Sequence, residues 1–129
     1  MYYASMSMKT ILVAEDRDAS RELIRTVLTA AGYAVVEARD GQEAIERAME
    51  TPADLVILDL YMPRTDGFGV LERLRGDQHY AKVPIVALTA SAMAGDREKA
   101  IASGFSEYIS KPVNLTLLRQ EVGRLLGNS

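Results

Sequence analysis

The 129-residue chain has no cysteine, a single histidine and only two phenylalanines. Without cysteine there is no disulfide framework, no thiol nucleophile and no thiolate-held metal. That absence fits a reducing compartment. The one histidine, His79, lies in a polar connector and is read as a solvated residue. No apolar run is long enough to span a membrane. Met1–Met8 lacks the basic start and apolar core of a secretory signal. It is expected to be an extension outside the fold, native or left over from cloning, with Met8 as an alternative start. A net charge of −3 supplies no basic excess for a nucleic-acid surface. The expected setting is the cytoplasm, without nucleic acid or membrane.

What is present is the composition of one globular domain, 48% hydrophobic and 26% charged. Short apolar, β-branched runs alternate five times with helical patterns. Strand one is read at 10–14, followed by a helix from residue 18 or 19 with Leu23, Ile24, Val27, Leu28 and Ala31 on its apolar face. Gly32 is read as its stop. Strand two is read at 33–37. A second helix capped by Asp40 turns Ala44, Ile45, Ala48 and Met49 inward. A third helix is predicted over 67–75 with Phe68, Leu71 and Leu74 apolar, and strand four over 83–88. A lightly packed fourth helix over 92–103, strand five over 105–110 and a last helix over 114–126 complete the chain. The expected fold is α/β, a (βα)5 doubly wound parallel sheet over residues 9–127 with a short tail at 128–129.

The stretch Asp54–Asp66 organises the reading. Leu55-Val56-Ile57-Leu58 is too short for a helix and reads as a strand buried on both faces. It stops at Asp59, a carboxylate that packing does not require. Met62-Pro63 then turns the chain away, and Asp66-Gly67 opens the next helix. Glu15-Asp16 after strand one, Thr89 after strand four and Lys111 after strand five fall on the same, carboxyl, edge of the sheet. α/β folds keep their chemistry there. The strand order 2-1-3-4-5, adopted by analogy with flavodoxin-like sheets, opens a crevice between strands one and three. Three carboxylates meeting there repel one another unless a cation sits among them. An all-oxygen set favours Mg²⁺, or Mn²⁺. Three carboxylates, one such ion and one lysine sum to zero charge.

Each residue also has a plainer reading. Asp16 or Asp18 can cap the first helix, and for Asp18 that reading is preferred. Thr89 can be a capping hydroxyl and Lys111 a surface lysine. One such residue on each of four different strands is a much stronger signal than any member alone.

Taken together, Glu15-Asp16, Asp59 with Met62-Pro63 and Asp66-Gly67, Thr89-Ala90 and Lys111-Pro112 resemble the response-regulator receiver (CheY-like) family in type, order and spacing. Within it the chain is most like single-domain receivers of the DivK type and receivers of hybrid histidine kinases. The resemblance implies phosphoryl transfer from a histidine kinase or histidine phosphotransfer protein to Asp59. It implies Mg²⁺ bound by Asp16, Asp59 and the Tyr61 backbone carbonyl, with Glu15 acting through water. Thr89, Ala90 and Lys111 would bind the phosphoryl oxygens, and Pro112 would follow a cis peptide bond. Thr89 and Tyr108 would form the switch, and Tyr61 and Ser91 would tune hydrolysis. A downstream protein would dock on the face of the fourth helix, fifth strand and last helix. The protein would be a monomer or a phosphorylation-dependent dimer.

Thr65 and Val113 stand where the family often has larger apolar residues, so the family's local packing does not carry over directly to these two positions. The chain ends soon after the last helix, so a stand-alone phosphoacceptor, not an enzyme on a separate substrate, is expected. A receiver excised from a hybrid histidine kinase is the alternative. A haloacid-dehalogenase-type phosphatase would want a second Asp where Tyr61 stands. A flavodoxin-like cofactor site would want a phosphate loop where Glu15-Asp16 would repel phosphate.

Overall fold

The five apolar runs form one parallel sheet in the computed structural model, which describes residues 8–90 and 93–127. Most of the N-terminal extension, Ser91 and the 128–129 tail lie outside the described residues. Strands β1 (Thr10–Ala14), β2 (Ala34–Ala38), β3 (Leu55–Asp59), β4 (Ile85–Thr89) and β5 (Glu107–Ser110) lie in the order β2-β1-β3-β4-β5. Helices α1 (Asp18–Ala30), α2 (Gly41–Glu50), α3 (Gly67–Arg75), α4 (Asp96–Ser103) and α5 (Leu115–Leu125) alternate with them. This is the expected doubly wound order.

Strand side chains alternate between two faces because the strand period is two. Ile11, Val13, Leu55, Ile57, Val86 and Leu88 pack with Ile24 and Leu28 of α1 and Leu118 and Val122 of α5. Leu12, Val56, Leu58, Ile85 and Ala87 face the other way, onto Ala44, Ala48, Val70, Leu71, Leu74 and Ala100 of α2, α3 and α4. Every residue of β3 is buried, as a central strand covered on both sides requires.

The local signals act as their chemistry directs. Asp40 accepts from the Glu43 N–H, Asp66 from Phe68 and Asn114 from Leu117, so each caps a helix. Gly32, at φ 99°, ends α1, and the following Tyr33 N–H bonds back to the Leu28 carbonyl.

Several expectations need correction. Asp18 does not cap α1; it is the first helical residue and pairs with Arg21, while Arg17 stands at the cap without a side-chain bond. Leu23 and Met49 are exposed, because the helices bury a narrower stripe than their apolar residues span. Ala31 is exposed as well, at the fraying end. α4 begins at Asp96, not at 92, since Gly95 takes φ 88° and Asp96 accepts the Met93 N–H in a local turn. β4 runs from Ile85 to Thr89, beginning after Pro84, which has no N–H to give a ladder; β5 begins at Glu107. The polar connector after α3 carries a buried anchor. Tyr80 donates its hydroxyl to the Ala48 carbonyl at 2.7 Å and accepts from the Ala53 N–H at 2.9 Å. His79 is exposed, yet its Nε2 lies 2.9 Å from the Ala53 carbonyl and its ring meets Tyr80 edge-on.

Between β3 and α3 a two-residue hairpin, Tyr61–Met62 against Thr65–Asp66, was not foreseen. Arg64 in its turn has φ 60°. Thr65 packs through its own small side chain: its hydroxyl accepts the Gly41 N–H at 3.1 Å, and its methyl fills the space a side chain on Gly41 would need.

Candidate functional site

Strand register builds the site. Ala14 pairs with Leu58, so Glu15 and Asp59 leave the sheet side by side. Asp59 pairs with Leu88, and Thr89 with Ser110, which brings Thr89 and then Lys111 to the same rim. Parity then sorts them. Glu15, Asp59 and Lys111 continue the alternation that faces α1 and α5; Thr89 and Tyr108 continue the one that faces α2, α3 and α4.

On the first side lies a buried ionic cluster. The Lys111 ammonium donates to Glu15 Oε1 at 2.5 Å and to Asp59 Oδ2 at 2.7 Å. Glu15 is fully buried and Asp59 nearly so. Glu15 Oε2 accepts the Arg17 N–H at 3.0 Å, and Asp59 Oδ1 accepts the Tyr61 N–H at 3.0 Å. Burial pushes the Glu15 carboxyl above the usual carboxylate range, against the pull of Lys111 and the Arg17 N–H. Burial alone would lower the Lys111 pKa; its hydrogen bonds to Asp59 and Glu15 outweigh that and hold it above the ordinary lysine value. The peptide bond from Lys111 to Pro112 is cis.

Asp16 is half-buried, and one oxygen from each of Glu15, Asp16 and Asp59 lies within 4.8 Å of the others. That spacing and the all-oxygen chemistry fit a small hard divalent cation. A cleft of about 450 Å³ opens beside the cluster, lined by Arg17, Leu23, Ala90, Lys111 and Val113 among others. Ala90 is exposed at its edge.

On the second side Thr89 is fully buried and half-buried Tyr108 packs against the core formed with α2, α3 and α4. The two side chains share a hydrogen bond, and burial pushes the Tyr108 phenol up. The tyrosine is therefore linked to Thr89, the residue expected to share the switch with it. Tyr61 is 61% exposed and lines a small recess with Thr89 and Tyr108.

Sequence reasoning missed Arg21. Its guanidinium, only 12% exposed, donates to the Glu15 backbone carbonyl at 2.9 Å, to Glu37 at 3.0 Å and to Asp18 at 2.7 Å. Nothing in its immediate sequence signals this, because Glu37 reaches it only through the β1–β2 pairing.

The chain matches the model of the response regulator receiver domain over residues 11–123. It is 32% identical over 121 residues to the polar-differentiation response regulator DivK of Brucella ovis, covering 94% of this chain and 98% of that protein. Among solved structures it is similar to the Vibrio cholerae chemotaxis protein CheY4, with 29% identity, a TM-score of 0.87 and coverage of 92% and 99% of the two chains. It is also similar to the receiver domain of the sensor histidine kinase PA1611 from Pseudomonas aeruginosa, with 31% identity, a TM-score of 0.85 and coverage of 95% and 100%. That structure has a magnesium ion coordinated in its active site cleft.

Proposed function

The chain belongs to the response-regulator receiver family, and from that premise we propose that Asp59 accepts a phosphoryl group from a partner's phosphohistidine. The observation that carries the reading is Lys111 bridging Glu15 and Asp59, with Asp16 beside them, at one rim of the sheet. Asp16, Asp59 and the Tyr61 carbonyl would hold Mg²⁺ (or Mn²⁺), with Glu15 acting through water. When bound, the ion supplies positive charge where the phosphoryl oxygens gather.

An oxygen of Asp59 forms the new bond to phosphorus as the bond to the donor's imidazole nitrogen breaks, and the imidazole leaves. Such a transition state is loose and spreads its charge over three oxygens, so it needs positioning and cations more than a base. Lys111 is the cation already in place. It donates to both Asp59 and Glu15, and it is within reach of the new phosphoryl oxygens. The cleft lined by Arg17, Leu23 and Val113 is the side from which a histidine kinase or histidine phosphotransfer protein would approach.

Phosphorylation replaces one carboxylate charge with nearly two and adds acceptor oxygens. The Thr89 hydroxyl, with the Ala90 backbone, turns toward them, and Tyr108 follows through its hydrogen bond to Thr89. The face of α4, β5 and α5 changes for a downstream protein or for a second copy of the chain. Tyr61, exposed two residues after Asp59, would hinder attacking water and lengthen the phosphoryl lifetime. The protein on this reading is a signalling phosphoacceptor and not an enzyme on a separate substrate. Its proposed setting is the cytoplasm, which the lack of cysteine fits. Tyr61 two residues after Asp59 leaves a dehalogenase-type phosphatase without its second acid.

The test is intact mass after treatment with a small acyl phosphate and Mg²⁺. Wild type should gain one phosphoryl group and Asp59→Asn none. No gain on wild type would overturn the reading, and gain on both would move the acceptor elsewhere.

A further inference from the structure

Glu15 is held at almost every polar atom. Its N–H bonds to the Ala38 carbonyl at 3.0 Å, Oε1 accepts from Lys111 and Oε2 from the Arg17 N–H. The remaining freedom is the tilt of the peptide plane that joins Glu15 to Asp16. The Glu15 carbonyl and the Asp16 N–H move as one rigid unit. Among the described residues no hydrogen bond or ion pair holds the Asp16 carboxylate itself. What the structure fixes is the backbone that carries it, and with that the Cα–Cβ bond from which the carboxylate reaches toward Glu15 and Asp59.

That plane is fixed from outside the cluster. Arg21 uses three nitrogens in three directions: Nε to Glu37, Nη2 to Asp18 and Nη1 to the Glu15 carbonyl. Two carboxylates already neutralise the guanidinium, so the third bond adds geometry and not charge balance. Arg25, one turn further along α1, lies 3.3 Å from the same Glu37 but contacts Glu22 instead of Glu15. We propose that Arg21 is a positioning residue that orients the Glu15–Asp16 peptide and so aims Asp16 at the metal position beside Asp59. A rigid planar fork can serve three partners at once. A lysine keeps the charge but has one nitrogen, for which two carboxylates outcompete a neutral carbonyl.

The inference rests on the proposed divalent-cation site, and its test separates the two. Mn²⁺ alone, without phosphodonor, is titrated into wild type, Arg21→Gln, Arg21→Lys and Arg25→Gln, and free Mn²⁺ is followed by electron paramagnetic resonance. Thermal unfolding without metal is recorded in parallel. Wild type should bind. Arg21→Gln and Arg21→Lys should both lose about tenfold in affinity, the usual scale for groups that orient metal ligands. Arg25→Gln should bind as wild type does. Arg21→Lys should keep its unfolding midpoint because the ion pairs survive; if Arg21→Gln fails to fold, the lysine variant decides alone. Full affinity in Arg21→Lys would overturn the proposal, as it would assign the effect to charge. Equal weakening in Arg25→Gln would overturn it too. A wild type that does not bind Mn²⁺ would overturn the cation site and this inference with it.

Discussion

The two sides of the sheet's carboxyl rim are built by opposite means. Around β1 and β3 the chain is immobilised. Glu15 is bonded through its N–H, its carbonyl and both carboxylate oxygens. The hairpin after β3 is wedged against Gly41, with Gly67 backed onto Leu60. Around α4 the opposite holds. That helix has eight residues, buries only Ala100 among them, and is bounded by Gly95 and Gly104 at φ 88° and 120°. Its far end is tied down, since Arg75 donates to the Gly104 carbonyl at 2.8 Å and also to the Tyr80 and Val83 carbonyls. Its end toward the rim is held by the local Asp96 turn and by an ion pair from the more than half exposed Arg97 to Glu107 at 2.7 Å. Gathered like charges must be held in register, whereas a short helix with little buried surface costs little to move.

The largest expected effect tests this contrast in the packing. Ile57 on β3 is fully buried between helices, while Ile101 on α4 is 42% exposed. Ile57→Ala removes three buried carbons and leaves a cavity that flanking strands cannot close, a loss of about 3–4 kcal/mol. Ile101→Ala should stay within about 0.5 kcal/mol of wild type. Urea unfolding of both variants measures the difference. Similar losses would mean that α4 is as firmly packed as β3.

The next effect concerns the hairpin after Asp59. A Cβ on Gly67 would lie 2.7 Å from the Leu60 Cα, which is backbone and cannot turn aside. Gly67→Ala should destabilise the fold by about 1–3 kcal/mol. Gly69, two residues on in the same helix, has nothing within 4 Å of its would-be Cβ. Gly69→Ala should therefore stabilise by about 0.5–1 kcal/mol through helix propensity. Thermal or urea midpoints that move in the same direction for both would break the argument.

Both sides were unequally legible in the sequence. The fold could be read because the strands are short apolar runs, four of the five with an odd polar residue at or just past the end, and Asp59, Glu15, Thr89 and Lys111 are those residues. Parallel strand pairing then leaves little choice about where they meet. The start of α4 was not legible, because the composition of Met93-Ala94 favours helix while the positive φ of Gly95 forbids it at that point. Tyr80 hid in a polar connector because its partners, Ala48 and Ala53, precede it by a whole strand. Arg21 hid for the same reason: one of its partners arrives only when β2 pairs with β1. Helical periodicity gave the direction of each buried face but not its width, which left Leu23 and Met49 misplaced.

The smallest expected effect bears on what couples α4 to α5. Glu107 on β5, only 13% exposed at its side chain, takes Arg97 of α4 at 2.7 Å and Arg124 of α5 at 3.3 Å. Both arginines are more than half exposed, and Arg124 keeps a second partner in Glu121 at 2.6 Å. Glu107→Gln should therefore move the urea midpoint by only roughly 0.3 M, as befits exposed pairs. The shift should shrink as added salt shortens the screening length. The informative readout is local. Amide exchange in α4 should quicken in Glu107→Gln while β3 stays as protected as before, because the lost pair ties α4 to the sheet and leaves the core untouched. Exchange that quickens in both would show that the two sides open together, and the division between a fixed rim and a loosely held helix would fail.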